Sequence, residues 1–74
     1  MPKLPVISGK DLVKKLAHLG FEEVRQKGSH VSLRKVTPHK TFKTVVPLHN
    51  ELAKGTLRDI LNQCGLTKTD LIES

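Results

Sequence analysis

The spacing of the apolar residues changes twice along this chain, and that change limits the fold more than any other feature. Helical spacing covers residues 8–19, short alternating segments cover 21–47, and helical spacing returns from about 51 to 64. A period near 3.6 indicates an amphipathic helix, whereas alternation indicates a half-buried strand. The sequence therefore predicts three consecutive strands between two helices, in the order α-β-β-β-α.

Local signals mark the ends of the first elements. Ser8, with Asp11 three residues later, is typical of a helix N-cap, and Gly20 is placed to end that helix in a left-handed conformation. The dipeptide Gly28-Ser29 separates the first two strand segments as a hairpin turn. Residues 1–7 contain two prolines and predict an extended lead-in. Its apolar residues are expected to cover an edge of the fold: Leu4, Val6 and Ile7.

The C-terminal third predicts two helices. The start of the second helix stays open, because Gly55 lies among its early residues and either Asn50 or Lys54 is placed to precede its first turn. Residues 67–73 repeat the capping pattern and predict a short helical tail. A chain of 74 residues makes one folding unit, so the prediction is a single α+β domain over 1–74. It is a sandwich with a three-stranded antiparallel sheet, helices on one sheet face and the other face open.

The alternation of the second strand places polar groups on the open face. Val31 and Leu33 share one face, so His30, Ser32 and Arg34 share the other. Thirteen Lys and Arg against seven Asp and Glu give a net charge of +6, which favours polyanionic partners. With two Phe and no Tyr or Trp, an aromatic stacking platform for single strands is disfavoured.

The sequence lacks the features of disulfide-bonded, metal-binding, secreted and membrane proteins. Cys64 is the only cysteine, which excludes an intrachain disulfide and suits a small buried residue. The four histidines show no i, i+4 pairing near clustered carboxylates, so we expect no metal site. We also expect no cofactor, because in so short a chain a pocket for a bulky organic group would leave little core. No apolar run approaches the ~18 residues of a membrane span, and no signal peptide is evident. We expect a cytoplasmic protein without membrane contact.

The segment Arg25-Gln26-Lys27-Gly28-Ser29-His30 carries the most informative chemistry. RNA is cut without metal when its own 2′-OH attacks the adjacent phosphate, which requires a base for the proton and cations for the phosphorane charge. An imidazole, with an ordinary pKa of about 6.5, suits the first task, and Lys27, Arg25 or Arg34 suit the second. A lone histidine on a polar strand face is more often simply solvated, so spacing alone leaves the role of His30 open.

A family resemblance bears on that role. The run GFEEVRQKGSHVSLRK, followed by VPLHNELAKGTLRDILNQCGL, resembles the HicA (YcfA-like) toxin family almost from Gly9 to Ile72. The specific features are Gly-Ser-His at the start of the second strand, and Val-Pro-x-His with Glu-Leu and Lys-Gly-Thr-Leu leading into the second helix. The resemblance implies a fold like that of the double-stranded-RNA-binding domain. It also implies an mRNA-cleaving toxin whose HicB-like antitoxin covers the exposed sheet face and His30.

The same resemblance implies roles for individual residues. Gly28, Ser29 and His30 match the family motif, and His30 takes the place of its catalytic histidine, acting as general acid/base on the 2′-OH. The expected RNA-binding residues are Arg25, Lys27, Gly28, Ser29, Ser32 and Arg34. The toxin alone is expected to be monomeric. One departure is the segment VTPHKT, which is longer than the usual turn between the second and third strands and lacks glycine.

Two alternatives to the nuclease remain at this point. A non-catalytic module of the same fold would grip A-form RNA by shape and phosphate contacts, with His30 as one such contact. A purely protein-binding module would explain an exposed sheet face but not the charge. Cleavage separates the first alternative from the nuclease, and the salt dependence of RNA binding tests the second.

Overall fold

A computed structural model of the chain describes residues 3–73 and confirms the predicted α+β architecture. Residues 1, 2 and 74, including the first two of the predicted lead-in, lie outside the described residues. The elements are α1 Gly9–His18, β1 Glu22–Lys27, β2 His30–Val36, β3 Thr41–Pro47, α2 Lys54–Cys64 and α3 Lys68–Glu73.

The three strands form one antiparallel sheet in the order β1-β2-β3, so β2 is the central strand. Val31 and Leu33 of β2, and Thr44 and Val46 of β3, are buried beneath the helices. The opposite face, called the open face below, carries the intervening residues and has no element over it in the described chain. This is the arrangement of a double-stranded-RNA-binding-domain-like fold.

One hydrophobic core joins the helices to the covered sheet face. All three helices contribute to it, and the last turn of the chain is included because Leu71 of α3 is fully buried. The buried apolar residues are Ile7, Leu12, Leu16, Phe21, Val31, Leu33, Val46, Leu52, Leu57, Ile60, Leu61, Cys64 and Leu71.

The predicted helix ends are present in the structure. The Ser8 hydroxyl accepts a hydrogen bond from the Asp11 amide at 3.1 Å, and Gly20 follows α1 with a φ of 96°. The Phe21 amide donates to the Leu16 carbonyl, which is the outer hydrogen bond of a Schellman motif. Thr67 and Asp70 cap α3 reciprocally, each side chain accepting from the other's amide.

The second helix begins at Lys54, three residues later than the predicted start at about 51. Ala53 is extended, with φ −61° and ψ 146°, and provides no side-chain cap. The amide of Leu52 donates to the carbonyl of Ile7 at 2.9 Å, while the Leu52 side chain is buried. Tertiary contact with the lead-in therefore holds Leu52 outside the helix, which local sequence signals do not reveal.

The lead-in covers the core with two of its three expected apolar residues. Ile7 is buried and Leu4 packs against the core, but Val6 is 77% exposed. Adjacent side chains of an extended segment point to opposite sides, so Val6 points away next to the inward Ile7, and the alternation does not extend back to Leu4. The prediction for Val6 was wrong for this reason.

The loop between β2 and β3 closes without glycine. The Thr37 amide donates to the Lys40 carbonyl, and the Thr37 hydroxyl donates to that same oxygen at 2.6 Å. The hydroxyl also accepts from the Lys40 amide at 3.0 Å. A threonine side chain thus replaces the backbone freedom that glycine supplies in shorter turns.

Cys64 is a core residue, as its sequence context predicted. It is 3% exposed and lies in the last turn of α2. Burial raises the pKa of the Cys64 thiol to about 11, despite a smaller opposing effect of its hydrogen bond with Thr44. The thiol therefore stays protonated at neutral pH, and the thiolate needed for nucleophilic or metal chemistry does not form there.

Candidate active site

His30 is the first residue of the central strand, directly after a two-residue turn. Gly28 occupies the first turn position with a φ of 59°, whereas Ser29 has no positive φ. A glycine of positive φ followed by a residue of negative φ is the pattern of a type II′ hairpin turn, whose twist matches that of the strands. The turn therefore fixes His30 opposite Lys27, and the His30 side chain is exposed.

A β-bulge in β1 brings two cations to the face of His30. Glu22 and Glu23 pair with Arg34 and Leu33, but the next pair is Arg25 with Ser32, so Val24 is an extra residue. Strict alternation from Glu22 would place Arg25 and Lys27 on the covered face. The bulge shifts the parity by one residue, so that both side chains join His30 and Ser32 on the open face.

The pair Lys27 and His30 is the closest combination of a base and a cation in this hairpin. Side chains directly opposite each other in antiparallel strands have Cβ atoms about 5 Å apart. Arg25 lies one pair further along, opposite Ser32, about 7 Å away in the strand direction. One phosphate bound beside His30 is therefore within reach of Lys27, with Arg25 placed for a neighbouring phosphate.

Arg34 lies apart from Arg25, Lys27 and His30. Its guanidinium donates to the Glu22 carboxylate, with Nη2 at 2.7 Å and Nε at 3.2 Å from Oε1. Arg34 lies four residues beyond His30, which corresponds to about 13 Å along the strand. Ser32 is half-buried between the two sites. The structure thus brings Arg25, Lys27 and His30 together but leaves Arg34 engaged at the far end of the sheet.

The segment that follows β3 is hydrogen-bonded to the hairpin turn. The Leu48 amide donates to the Ser29 carbonyl at 2.6 Å, continuing the ladder beyond the strand ends. The His49 carbonyl in turn accepts from the Gly9 amide at 2.9 Å, at the start of α1. Gly28 and Ser29 therefore position His30 through their backbone, and the turn is tied to the helical layer.

The histidines are spread over the fold. His18 ends α1, His39 lies in the β2–β3 loop and His49 follows β3, and each is exposed. Among residues 3–73 no group of three or more histidine, cysteine or carboxylate side chains is arranged to hold a metal ion. The charged side chains that share the hairpin and the sheet face with His30 are the cations Lys27 and Arg25, which suit a phosphate.

Comparison with known families decides the identity. A family model for the HicA toxin of bacterial toxin-antitoxin systems matches residues 9–66 of the 74-residue chain. The chain belongs to the HicA toxin family. The match contains the whole sheet, the hairpin of His30 and all of α1 and α2. A search among curated proteins gave no match.

Membership makes this HicA chain the toxin of a toxin-antitoxin pair and implies a HicB antitoxin as its partner. Within the described residues, every helix is too short or too polar to cross a bilayer. The match to the family model confirms the resemblance to HicA toxins that the sequence showed.

Sequence reasoning placed the HicA hairpin correctly but missed two features beside it. The first is the bulge at Val24, which has no glycine or proline to mark it. The second is a cleft behind the hairpin, which brings Lys10 and Lys14 near Gln26 and Asn50. From the sequence alone, the lysines of α1 suit a solvated face as well as a phosphate contact. The packing of α1 beside β1 places two of them, Lys10 and Lys14, at this cleft.

Proposed function

We propose that this toxin is a metal-independent endoribonuclease that cleaves mRNA in the cytoplasm, with His30 as the general acid/base. The observation that carries the proposal is the cross-strand pair of His30 and Lys27 on the open face. An exposed imidazole beside a fixed cation combines the two groups that attack by a 2′-OH requires. The neighbouring Arg25 adds a second positive charge on the same face.

In the proposed reaction the imidazole of His30 accepts the proton of a ribose 2′-OH. The O2′ atom attacks the adjacent phosphorus, and the bond from phosphorus to O5′ breaks. Lys27 stabilises the charge that develops on the non-bridging oxygens of the phosphorane. The O5′ atom takes a proton from water and the imidazolium returns its proton to solvent. The products are a 2′,3′-cyclic phosphate and a 5′-OH end.

The remaining predicted residues have supporting roles in this proposal. Gly28 and Ser29 form the turn that holds His30, and Arg25 and Ser32 contact the sugar-phosphate backbone next to the cut. Arg34 contributes RNA binding only if a phosphate competes with Glu22, because the guanidinium is already paired. We therefore rank Arg34 below Arg25 and Lys27 as an RNA contact.

A cleavage assay tests the proposal. We expect the purified toxin to cut a mixed-sequence RNA in excess EDTA, and to leave 2′,3′-cyclic phosphate and 5′-OH ends. The same RNA with a 2′-deoxy nucleotide at a mapped cut is expected to resist at that position, since the nucleophile is missing. Chelator-sensitive cutting or 5′-phosphate ends would refute the mechanism. Binding without cutting would replace it with the non-catalytic RNA-binding module.

We further propose that the toxin alone is a monomer and that its HicB-like antitoxin covers the open face and His30. A cleft of about 640 Å³ is lined by Val24, Ser32, Arg34, Lys43 and Val45 of that face and extends past β3 to Gln63 of α2. Val24 and Val45 are about half exposed there. Apolar side chains surrounded by cations suit a partner that contributes an apolar centre and an acidic rim.

Substitution of Val45 tests the antitoxin surface. Val45→Glu is expected to weaken binding of the cognate antitoxin by at least about tenfold, because it buries a charge at the centre of the contact. Val6→Glu changes an exposed valine beside α1 and should leave the affinity unchanged. Calorimetric titration of both variants measures the effect, and light scattering checks the monomer. Equal affinities for the two variants would place the antitoxin elsewhere.

A further inference from the structure

A second cleft, of about 500 Å³, lies behind the hairpin that carries His30. We call it the hairpin cleft, and its walls come from the start of α1, from β1 and β2, and from the segment after β3. Val31 lines it and directly follows His30 in the chain. Val31 points to the covered face and His30 to the open face, so an RNA strand that passes around the end of the hairpin beside His30 reaches this cleft with a nucleotide next to the cut.

The floor of the hairpin cleft is apolar. It consists of Val13 from α1, Val31 from β2 and Leu48 from the segment after β3. Val31 is buried, whereas Val13 and Leu48 are half-buried and present part of their side chains to the cleft. Splayed-out bases of single-stranded RNA place their faces against side chains of this kind, although aromatic residues do so more often. The floor therefore fits the flat face of one unpaired base.

The rim of the hairpin cleft offers hydrogen-bond acceptors. Glu23 and Gln26 face it because they pair with Leu33 and Val31, on the covered side of the sheet. The Gln26 Nε2 atom donates one hydrogen bond to the Gly28 carbonyl at 3.3 Å, which turns the amide nitrogen toward the hairpin turn and leaves the amide oxygen able to accept. A carboxylate and an amide oxygen side by side accept from the exocyclic amino group of adenine, cytosine or guanine. An amino group offers two hydrogens to these two acceptors, whereas uracil has no amino group and offers only its ring N3–H.

Two lysines of α1 lie at the opening of the hairpin cleft. Lys10 and Lys14 lie one helical turn apart on α1, both line the cleft and both are exposed. They outnumber Glu23, the one carboxylate among the lining residues. These ammonium groups could bind the phosphates on either side of a bound base. Arg25 and Lys27 add positive charge on the other side of the hairpin.

We propose that the hairpin cleft is a nucleobase subsite that reads the nucleotide next to the scissile phosphate and favours bases with an exocyclic amino group over uracil. The inference rests on the proposed nuclease function and extends it from the chemistry of cleavage to the choice of cleavage site. Glu23 and Gln26 read the base edge, while Lys10 and Lys14 hold its flanking phosphates.

An oligonucleotide panel tests the subsite. The panel varies only the nucleotides that flank one mapped cut, and kcat/KM is measured for wild type, Glu23→Gln and Glu73→Gln. We expect wild type to prefer an amino-bearing base over uracil by about tenfold at one flanking position, as expected for one hydrogen-bonded base contact. Glu23→Gln, which replaces one acceptor by a donor, is expected to reduce the preference below about threefold. Glu73→Gln, on α3, should preserve it.

A binding measurement separates this inference from the nuclease proposal. Anisotropy titration of the same oligonucleotides with His30→Ala is expected to show the base preference in Kd, and the added Glu23→Gln change is expected to remove it. If wild type does not cut but the preference in Kd depends on Glu23, the nuclease proposal falls and the subsite stands. If wild type cuts and neither rate nor affinity responds to Glu23→Gln, the subsite is refuted and the nuclease stands. Absence of any base-dependent binding or cutting refutes the subsite.

Discussion

Replacement of His30 by alanine is expected to lower kcat for RNA cleavage by at least about 10²-fold, and by as much as about 10⁴-fold. The imidazole is the proton acceptor for the 2′-OH in the proposed mechanism, and the ionisable groups beside it on the hairpin are those of Lys27 and Arg25, whose cations cannot replace it. Binding should change little, because those cations remain. Single-turnover cleavage assays give the rate, and anisotropy with a labelled oligonucleotide gives Kd.

His39→Ala is the matched control for His30→Ala. Both histidines are exposed, but His39 lies in the loop at the opposite end of β2, about 20 Å from His30 along the strand. Its loss should leave kcat within about twofold of wild type. A His30→Ala protein that binds RNA and cuts at the wild-type rate would remove His30 from the mechanism. A loss of binding that matches the loss of cutting would make it a phosphate contact.

Gly9→Ala is expected to destabilise the fold by about 2–3 kcal/mol, as over-packing of a tight contact does. A Cβ atom at Gly9 would overlap the Pro47 carbonyl oxygen and lie 2.9 Å from the Leu48 Cα atom. Both neighbours are backbone, so a side-chain rotation cannot relieve the contact. The Gly9 amide also donates to the His49 carbonyl, and moving α1 away would break that bond. In a domain of this size Tm should fall by about 10–20 °C.

Gly55→Ala is the control with the opposite sign. Gly55 lies in the first turn of α2, has no positive φ, and a Cβ atom there meets nothing within 4 Å. Alanine is favoured over glycine in helices, so the variant should gain up to about 1 kcal/mol. Thermal unfolding followed by circular dichroism compares the two. Equal Tm values for Gly9→Ala and Gly55→Ala would contradict the close approach of α1 to the segment after β3.

Several elements were predictable because their causes are local. The N-cap at Ser8, the glycine at position 20 and the capping box from Thr67 to Asp70 each join residues within four positions of one another. The hairpin at Gly28 follows from the freedom of glycine to adopt a positive φ. Alternation of apolar and polar residues in β2 likewise assigns His30 to the open face.

Other features depend on residues that are distant in sequence. Leu52 is kept out of α2 by a hydrogen bond to Ile7, and Arg34 is engaged by Glu22 across the sheet. Neither interaction has a sequence signal, because the partners are brought together only when the layers pack. The exposure of Val6 also could not be predicted, because hydrophobicity alone does not indicate which side of an extended segment faces the core.

The sequence by itself determined the order of elements, the turn that carries His30 and the net positive charge that favours polyanionic partners, since each follows from local conformational preference or from composition. The tertiary structure decided which cations share a face with His30. A single inserted residue in β1 reverses the side-chain parity of Arg25 and Lys27, and a bulge is fixed by pairing with β2 rather than by the residues of β1 alone. It also formed the hairpin cleft, because Lys10, Glu23 and Asn50 meet only when α1, β1 and the segment after β3 pack together.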